Sequence, residues 1–210
     1  MNKRGTLFVI TGPSGAGKGT ILREVIRSLD RLYFSVSATT RAPRPGEVDG
    51  VNYYFVSREE FEKMIEQEKM IEYANYVGNY YGTPKEYVES KLSEGKDVIL
   101  EIEIQGALKV KEQFPQTLLL FVTPPNATIL KERLVGRGTE TMEVIEQRMS
   151  RAAEEAEGIS SYDYILVNDD LQTCVKQMHN IIQSEHYKTH RNVEFMTQIK
   201  EELKANLKGE

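Results

Sequence analysis

The stretch Gly12-Pro13-Ser14-Gly15-Ala16-Gly17-Lys18-Gly19-Thr20 has the residue types and spacing that most directly imply chemistry. Glycines let backbone N–H groups turn inward and approach phosphate oxygens without Cβ clashes. A lysine at the end of such a loop reaches the outer phosphates, where negative charge builds during transfer. An apolar run, Leu7-Phe8-Val9-Ile10, comes before the loop. Helix-period apolar positions follow it at Ile21, Leu22, Val25, Ile26 and Leu29. Strand, glycine loop and helix in that order put phosphates at a helix start, among free N–H donors and the positive dipole end. Residues 12–20 are therefore expected to hold a nucleoside triphosphate. The position after the lysine, where Ser or Thr commonly serves magnesium, is Gly19. The hydroxyl comes one place later, so Thr20 is the candidate metal-facing residue.

Other charged groups are spaced for anion chemistry. Arg41 and Arg44 flank Pro43, so two guanidinium forks hang from a stiffened loop suited to phosphate oxygens. Arg133, Arg137, Arg148 and Arg151 surround Gly136-Arg137-Gly138. Glu101 and Glu103 end the apolar run that starts at Val98, and strand alternation would put both on one face. Acids at the carboxyl end of a parallel strand point into a ligand crevice.

Those groups need a frame. Leu7–Ile10, Val98–Ile104, Leu118–Val122 and Tyr164–Val167 read as buried parallel strands. Ser57-Arg58-Glu59-Glu60 is a capping box opening a helix. Thr83-Pro84-Lys85-Glu86 reads as a second box, with Pro84 at the first helical position. Asn126 is expected to cap a helix running to Val135. Further helices are expected over 141–157 and from Leu171 to about Tyr187. Strands separated by helices imply an α/β fold, a parallel sheet flanked by helices. Two regions break the alternation. Residues 34–83, with strand-like pieces such as Val51–Val56, read as an inserted subdomain. Residues 126–157 read as a helical lid. The sequence is expected to form a single domain over 1–210, with its core in 1–33, 84–125 and 158–190 and a helical tail over 191–210.

The 210 residues carry a net charge of −5, which speaks against nucleic-acid or membrane-surface binding. The one cysteine, Cys174, excludes an internal disulfide and fits a reducing compartment. No apolar stretch approaches the ~20 residues of a membrane span, and the short apolar start does not read as a signal peptide. The expectation is a cytoplasmic protein. Its three histidines are expected on the surface.

The motifs together resemble those of one family. Ser35-Val36-Ser37, Thr39-Thr40-Arg41-Ala42-Pro43-Arg44 and Gly46-Glu47, then Asn52-Tyr53-Tyr54-Phe55 and Ile71-Glu72-Tyr73, are similar to guanylate kinases. So are Gly78-Asn79-Tyr80-Tyr81-Gly82-Thr83, Gln105-Gly106 and Gly136-Arg137-Gly138-Thr139-Glu140. The resemblance covers nearly the whole chain and implies transfer of a phosphoryl group from MgATP to GMP. It implies that residues 12–20 and Asn168 contact ATP, with Asn168 near the adenine. It assigns the GMP phosphate to Arg41, Arg44, Tyr53 and Tyr81, and the guanine to Ser37, Glu72 and Thr83. Lys18, Arg41, Arg133, Arg137 and Arg148 would be the catalytic cations. Glu101 and Glu103 would contact the GMP ribose, hold magnesium through water, or orient the cations; the family more often carries aspartate there. Arg151 reads as part of a solvated face. The implied partners are GMP and ATP, with the protein as monomer or homodimer.

Overall fold

The structure is a computed structural model that describes residues 4–76, 78–136, 138 and 141–207. Arg137, Thr139 and Glu140 lie outside the described residues.

Leu7–Thr11 (β1) is buried along its whole length. A strand apolar on both faces must sit inside a sheet covered on both sides. It is the central strand of five, in the order Leu32–Phe34 (β2), Asp97–Glu101 (β7), β1, Leu118–Thr123 (β8), Tyr164–Val167 (β9). Every pairing in this sheet is parallel. Alternation divides the core into two layers. Phe8 and Ile10 meet Lys18–Ser28 (α1) and Leu171–Glu185 (α7) through Ile21, Val25 and Met178. Leu7 and Val9 meet Lys85–Ser93 (α3) and Ile104–Gln113 (α4) through Val88, Leu92 and Val110. Cys174 is buried in the first layer.

A second, four-stranded sheet has the order Tyr54–Phe55 (β4), Ala38–Thr39 (β3), Asn79–Pro84 (β6), Met70–Tyr76 (β5). Its β3–β6 and β5–β6 pairs are antiparallel. Arg58–Glu66 (α2) covers it, with Phe61 fully buried against Ala38 and Met70. The Ser57 box opens α2 as expected, with both reciprocal hydrogen bonds formed. Ala127–Val135 (α5), capped by Asn126, packs on Met142–Glu157 (α6) through Leu130, Leu134 and Ile145. Val193–Leu207 (α8) buries none of its residues.

Several expectations need correction. The Val98–Ile104 run leaves the sheet at Glu101, because Glu103 is the N-cap of α4 and its carbonyl accepts the Ala107 N–H. Glu101 and Glu103 therefore do not share a strand face. The three-residue edge strand β2 was not anticipated, and Val51–Val56 contributes only Tyr54 and Phe55 as strand. Thr83 does not cap α3. It lies in β6, Pro84 takes the N-cap position, and no side chain caps the helix. His186 is not a surface histidine. Its Nε2 lies 2.8 Å from Oδ2 of the fully buried Asp97, whose Oδ1 accepts the Thr6 N–H at 2.8 Å.

Candidate active site

The loop between β1 and α1 lies at the carboxyl edge of the parallel sheet, the edge where α/β folds place ligands. Gly12 has φ +136°, and a Cβ there would sit 2.0 Å from the Val122 carbonyl oxygen. Gly17, at φ +91°, is the N-cap of α1, and its Cβ would meet the Asn168 Nδ2 at 2.4 Å. The glycines are thus required by backbone geometry and by close neighbours. Asn168 is buried; its Nδ2 donates to the Ala16 carbonyl at 2.7 Å and its N–H to Thr123 at 2.7 Å. That side chain props the loop from beneath. Thr11, just before the loop, donates its hydroxyl to Tyr162 at 2.7 Å; burial pushes that phenol up to about 12.

Lys18 Nζ donates to the Gly12 carbonyl at 2.6 Å and to Pro13 at 3.3 Å. Thr20 is exposed on the first turn of α1, and its hydroxyl accepts from Arg23 at 3.4 Å. The helix pair α5–α6 reaches this loop. Arg148 Nη1 donates to Ser14 Oγ at 2.9 Å. Arg133 Nη2 donates to the Asn168 carbonyl at 2.8 Å, while its Nη1 is buried without a partner among the described residues.

The second sheet brings a different set of groups to the crevice. Arg41 Nη1 and Nη2 donate to the two carboxylate oxygens of Glu47, each at 2.9 Å. Glu47 also accepts the Arg44 N–H at 2.7 Å. The Arg41 guanidinium holds the Glu47 carboxyl well below the usual range, at about 2. Arg41 also lies over the Tyr53 ring, 5.4 Å from its centre. The rings of Tyr53 and Tyr81 meet edge to face at 6.0 Å. Ser37 is half-buried beside β3, and its carbonyl accepts from the Tyr54 N–H. The Arg44 side chain is exposed.

Glu72 and Thr83 face each other across β5 and β6. Glu72 is only 7% exposed, and its Oε1 accepts the Thr83 hydroxyl at 2.8 Å. Burial raises the Glu72 carboxyl above its ordinary range, opposed by that hydrogen bond. Thr83 thus spends its hydroxyl proton on Glu72. An unpaired charge in such a setting would be costly; here the Thr83 hydroxyl satisfies one oxygen of the carboxylate.

Glu101, at the end of β7, lies where its charge is felt by both Lys18 and Tyr53. Burial raises its carboxyl and the Lys18 ammonium opposes the rise. Glu103 stands apart from it and receives Arg151 Nη2 at 2.7 Å. Arg151 is therefore more than a solvated helix residue: it also reaches Glu155 at 3.4 Å, joining α6 to the start of α4. Sequence reasoning gave no site role to Glu47, Glu155 or Tyr162 and read Arg151 as part of a solvated face. The spacing of Arg151 and Glu155 was visible as a helical i,i+4 pair, and Glu47 stood three places past Arg44. Nothing local pointed to Glu103 or Thr11 as partners.

A parallel sheet bearing a lysine-ended phosphate loop, faced by an inserted sheet and an arginine-bearing helix pair, is the frame of a P-loop nucleotide kinase. A guanylate kinase family model matches residues 4–185. A guanylate kinase of Halalkalibacterium halodurans is 52% identical over 199 residues, covering 95% of this chain and 98% of the relative. One from Lactococcus lactis is 50% identical, covering 98% and 100%. The crystal structure of guanylate kinase from Anaplasma phagocytophilum matches with a TM-score of 0.74 at 32% identity, covering 90% of each chain. The chain belongs to the guanylate kinase family.

Proposed function

We propose that the chain transfers the γ-phosphoryl group of ATP to GMP, giving ADP and GDP, and that the residues above divide the work as follows. The loop 12–20 wraps the ATP phosphates with backbone N–H groups, and Lys18 neutralises the outer ones. Residues 34–83 form the GMP side. Arg41, Arg44, Tyr53 and Tyr81 take the GMP phosphate, with Glu47 holding Arg41 in place. A phosphate oxygen of GMP attacks the γ-phosphorus, and the bond to the β–γ bridging oxygen breaks. No covalent enzyme intermediate is needed, since positioning and electrostatics carry phosphoryl transfer.

Two polyanions must be brought together. Each unit-charge repulsion at ~4 Å is worth roughly 4 kcal/mol at an effective dielectric near 20. Arg133, Arg137 and Arg148, on residues 126–157 acting as a lid, offset that repulsion as they close and exclude water as a rival acceptor. Arg151, pairing with Glu103, latches the lid helix.

Base choice falls to Glu72. Guanine offers two neighbouring donors, N1–H and the 2-amino group, which one carboxylate accepts together. Each carboxylate oxygen keeps more than one lone-pair direction, so Oε1 can hold Thr83 and still accept from the base. Adenine turns a lone pair at N1 toward that carboxylate. Ser37 would add a hydroxyl to the guanine side. The buried Glu72–Thr83 pair is the observation that carries the assignment of GMP as acceptor.

The metal partner is magnesium arriving with ATP, a hard cation that takes oxygen ligands and keeps several waters. The oxygens this chain offers are the Thr20 hydroxyl and the Glu101 carboxylate, a donor set that fits it. Bound there, the ion neutralises charge on the β- and γ-phosphates. The cytoplasm is the proposed compartment, where ATP and GMP are both at hand.

Turnover of GMP, dGMP, AMP, CMP and UMP with MgATP tests the assignment. Guanine nucleotides should be far the best acceptors. Equal rates with AMP would remove guanine selection from the proposal.

A further inference from the structure

Gln105-Gly106 stands out in the sequence, and none of the roles above uses it. Gly106 lies in the first turn of α4, where its backbone is ordinary helix and glycine is among the poorest residues. Conformation therefore does not call for it. Space does. A Cβ at this position would lie 2.7 Å from Glu72 Oε2 and 3.3 Å from its Cδ. No real methyl group sits at the first of these distances, so the carboxylate would have to move.

Glu72 has little freedom to move harmlessly. It is 7% exposed, and its other oxygen is fixed by the Thr83 hydroxyl at 2.8 Å. Displacing Oε2 turns the carboxylate about that fixed point and changes the direction of its remaining lone pairs. The close approach also brings Oε2 to the start of α4, whose dipole favours an anion and opposes the cost of burying it.

We infer that Gly106 is a specificity-determining positioning residue: its missing side chain keeps the Glu72 carboxylate in the one orientation that accepts both guanine donors. This rests on the reading of Glu72 as the guanine acceptor. A displacement of about 1 Å at a site of this kind can cost 10²-fold.

The test compares steady-state kinetics of Gly106→Ala and Glu72→Gln with GMP and AMP at saturating MgATP. Gly106→Ala should lower kcat/KM for GMP by roughly 10²-fold, mainly through KM. AMP turnover and the KM for ATP should stay within a few-fold of the parent. Adding Gly106→Ala to Glu72→Gln should cost little more than Glu72→Gln alone. If Glu72→Gln erases the GMP preference while Gly106→Ala keeps the parent's ratio, the inference is wrong and the reading of Glu72 stands. If Glu72→Gln itself leaves the ratio unchanged, the reading of Glu72 fails. Equal losses toward GMP and AMP in Gly106→Ala would reduce Gly106 to packing and overturn the inference. Melting temperatures supply a second measurement that needs no activity. Gly106→Ala should raise Tm in a Glu72→Ala background, where the clash is gone, and not in the parent. Equal shifts in the two backgrounds would count against any contact between the two positions.

Discussion

On the proposed assignment, the phosphate loop and the inserted sheet hold anions by different means. At the loop, backbone N–H groups would form the binding surface, and the side chains of Asn168 and Tyr162 brace the backbone around it. Any phosphate chain fits such a surface, because every nucleotide carries the same oxygens. At the inserted sheet the binding groups would be side chains, two of them held by another: Arg41 by Glu47, Glu72 by Thr83. A backbone cradle cannot tell one base from another, whereas a paired carboxylate can. On the proposed assignment the donor side is therefore general and the acceptor side selective.

That contrast can be broken by experiment. The largest effect is expected at Glu72. A site built around hydrogen bonds rejects a base that leaves them unmade by up to ~10⁴-fold. Glu72→Gln keeps the volume, removes the charge and turns one acceptor into a donor, so the GMP-to-AMP ratio of kcat/KM should collapse while ATP binding is unchanged. Weakened ATP binding would show that the two ends are not separate.

Lys18→Ala should lower kcat by roughly 10³-fold, the scale of losing a charge-stabilising donor. GMP affinity measured by calorimetry should remain near the parent's. A parallel loss of GMP affinity would join the two ends of the crevice in a single site.

Glu47→Gln should act on the selective end alone. It replaces a charge-assisted, two-pronged hold on Arg41 by a neutral one, and the KM for GMP should rise about tenfold with little change in kcat. An unchanged KM would mean that Arg41 is placed by its stacking on Tyr53.

The smallest effect sharpens the description of the loop. Thr20→Ala should raise the magnesium concentration for half-maximal rate a few-fold. Adding Gly19→Ser should reverse this, since a Cβ at 19 meets nothing within 4 Å. A magnesium titration unmoved by either change would leave the ion to Glu101 and water.

What the sequence disclosed follows the same division. The loop is local: strand, glycines, lysine and helix stand in one continuous stretch. So do the Ser57 box and the Asn126 cap, which formed as expected, whereas Tyr164–Val167 forms the expected parallel strand but lies at the sheet edge with only Leu166 buried. Failures arose where a residue's partner is distant. Thr83 looked like a cap because Pro84, Lys85 and Glu86 follow it, yet its hydroxyl goes to Glu72 across a strand pair. Arg151 looked solvated because its partner Glu103 is 48 residues away, and His186 because Asp97 is 89 away. Glu103 looked like a strand residue because spacing does not show where a helix will start. Strand β2 was missed because three residues at a sheet edge give too short a pattern.

The loop's dependence on Asn168 also has a consequence for the order in which the molecule is made. Asn168 secures a carbonyl 152 residues earlier in the chain, and β1 finds its neighbours only in residues 97–101 and 118–123. During synthesis the phosphate-binding segment leaves the ribosome well before its supports. Contacts so far apart in sequence form slowly, after the entropy of closing long loops has been overcome. A growing chain truncated before Asn168 therefore carries the whole motif and lacks the contact that sets its shape. The ability to hold a nucleotide should come only after residue 168 has emerged, at the step when the fifth strand joins the sheet.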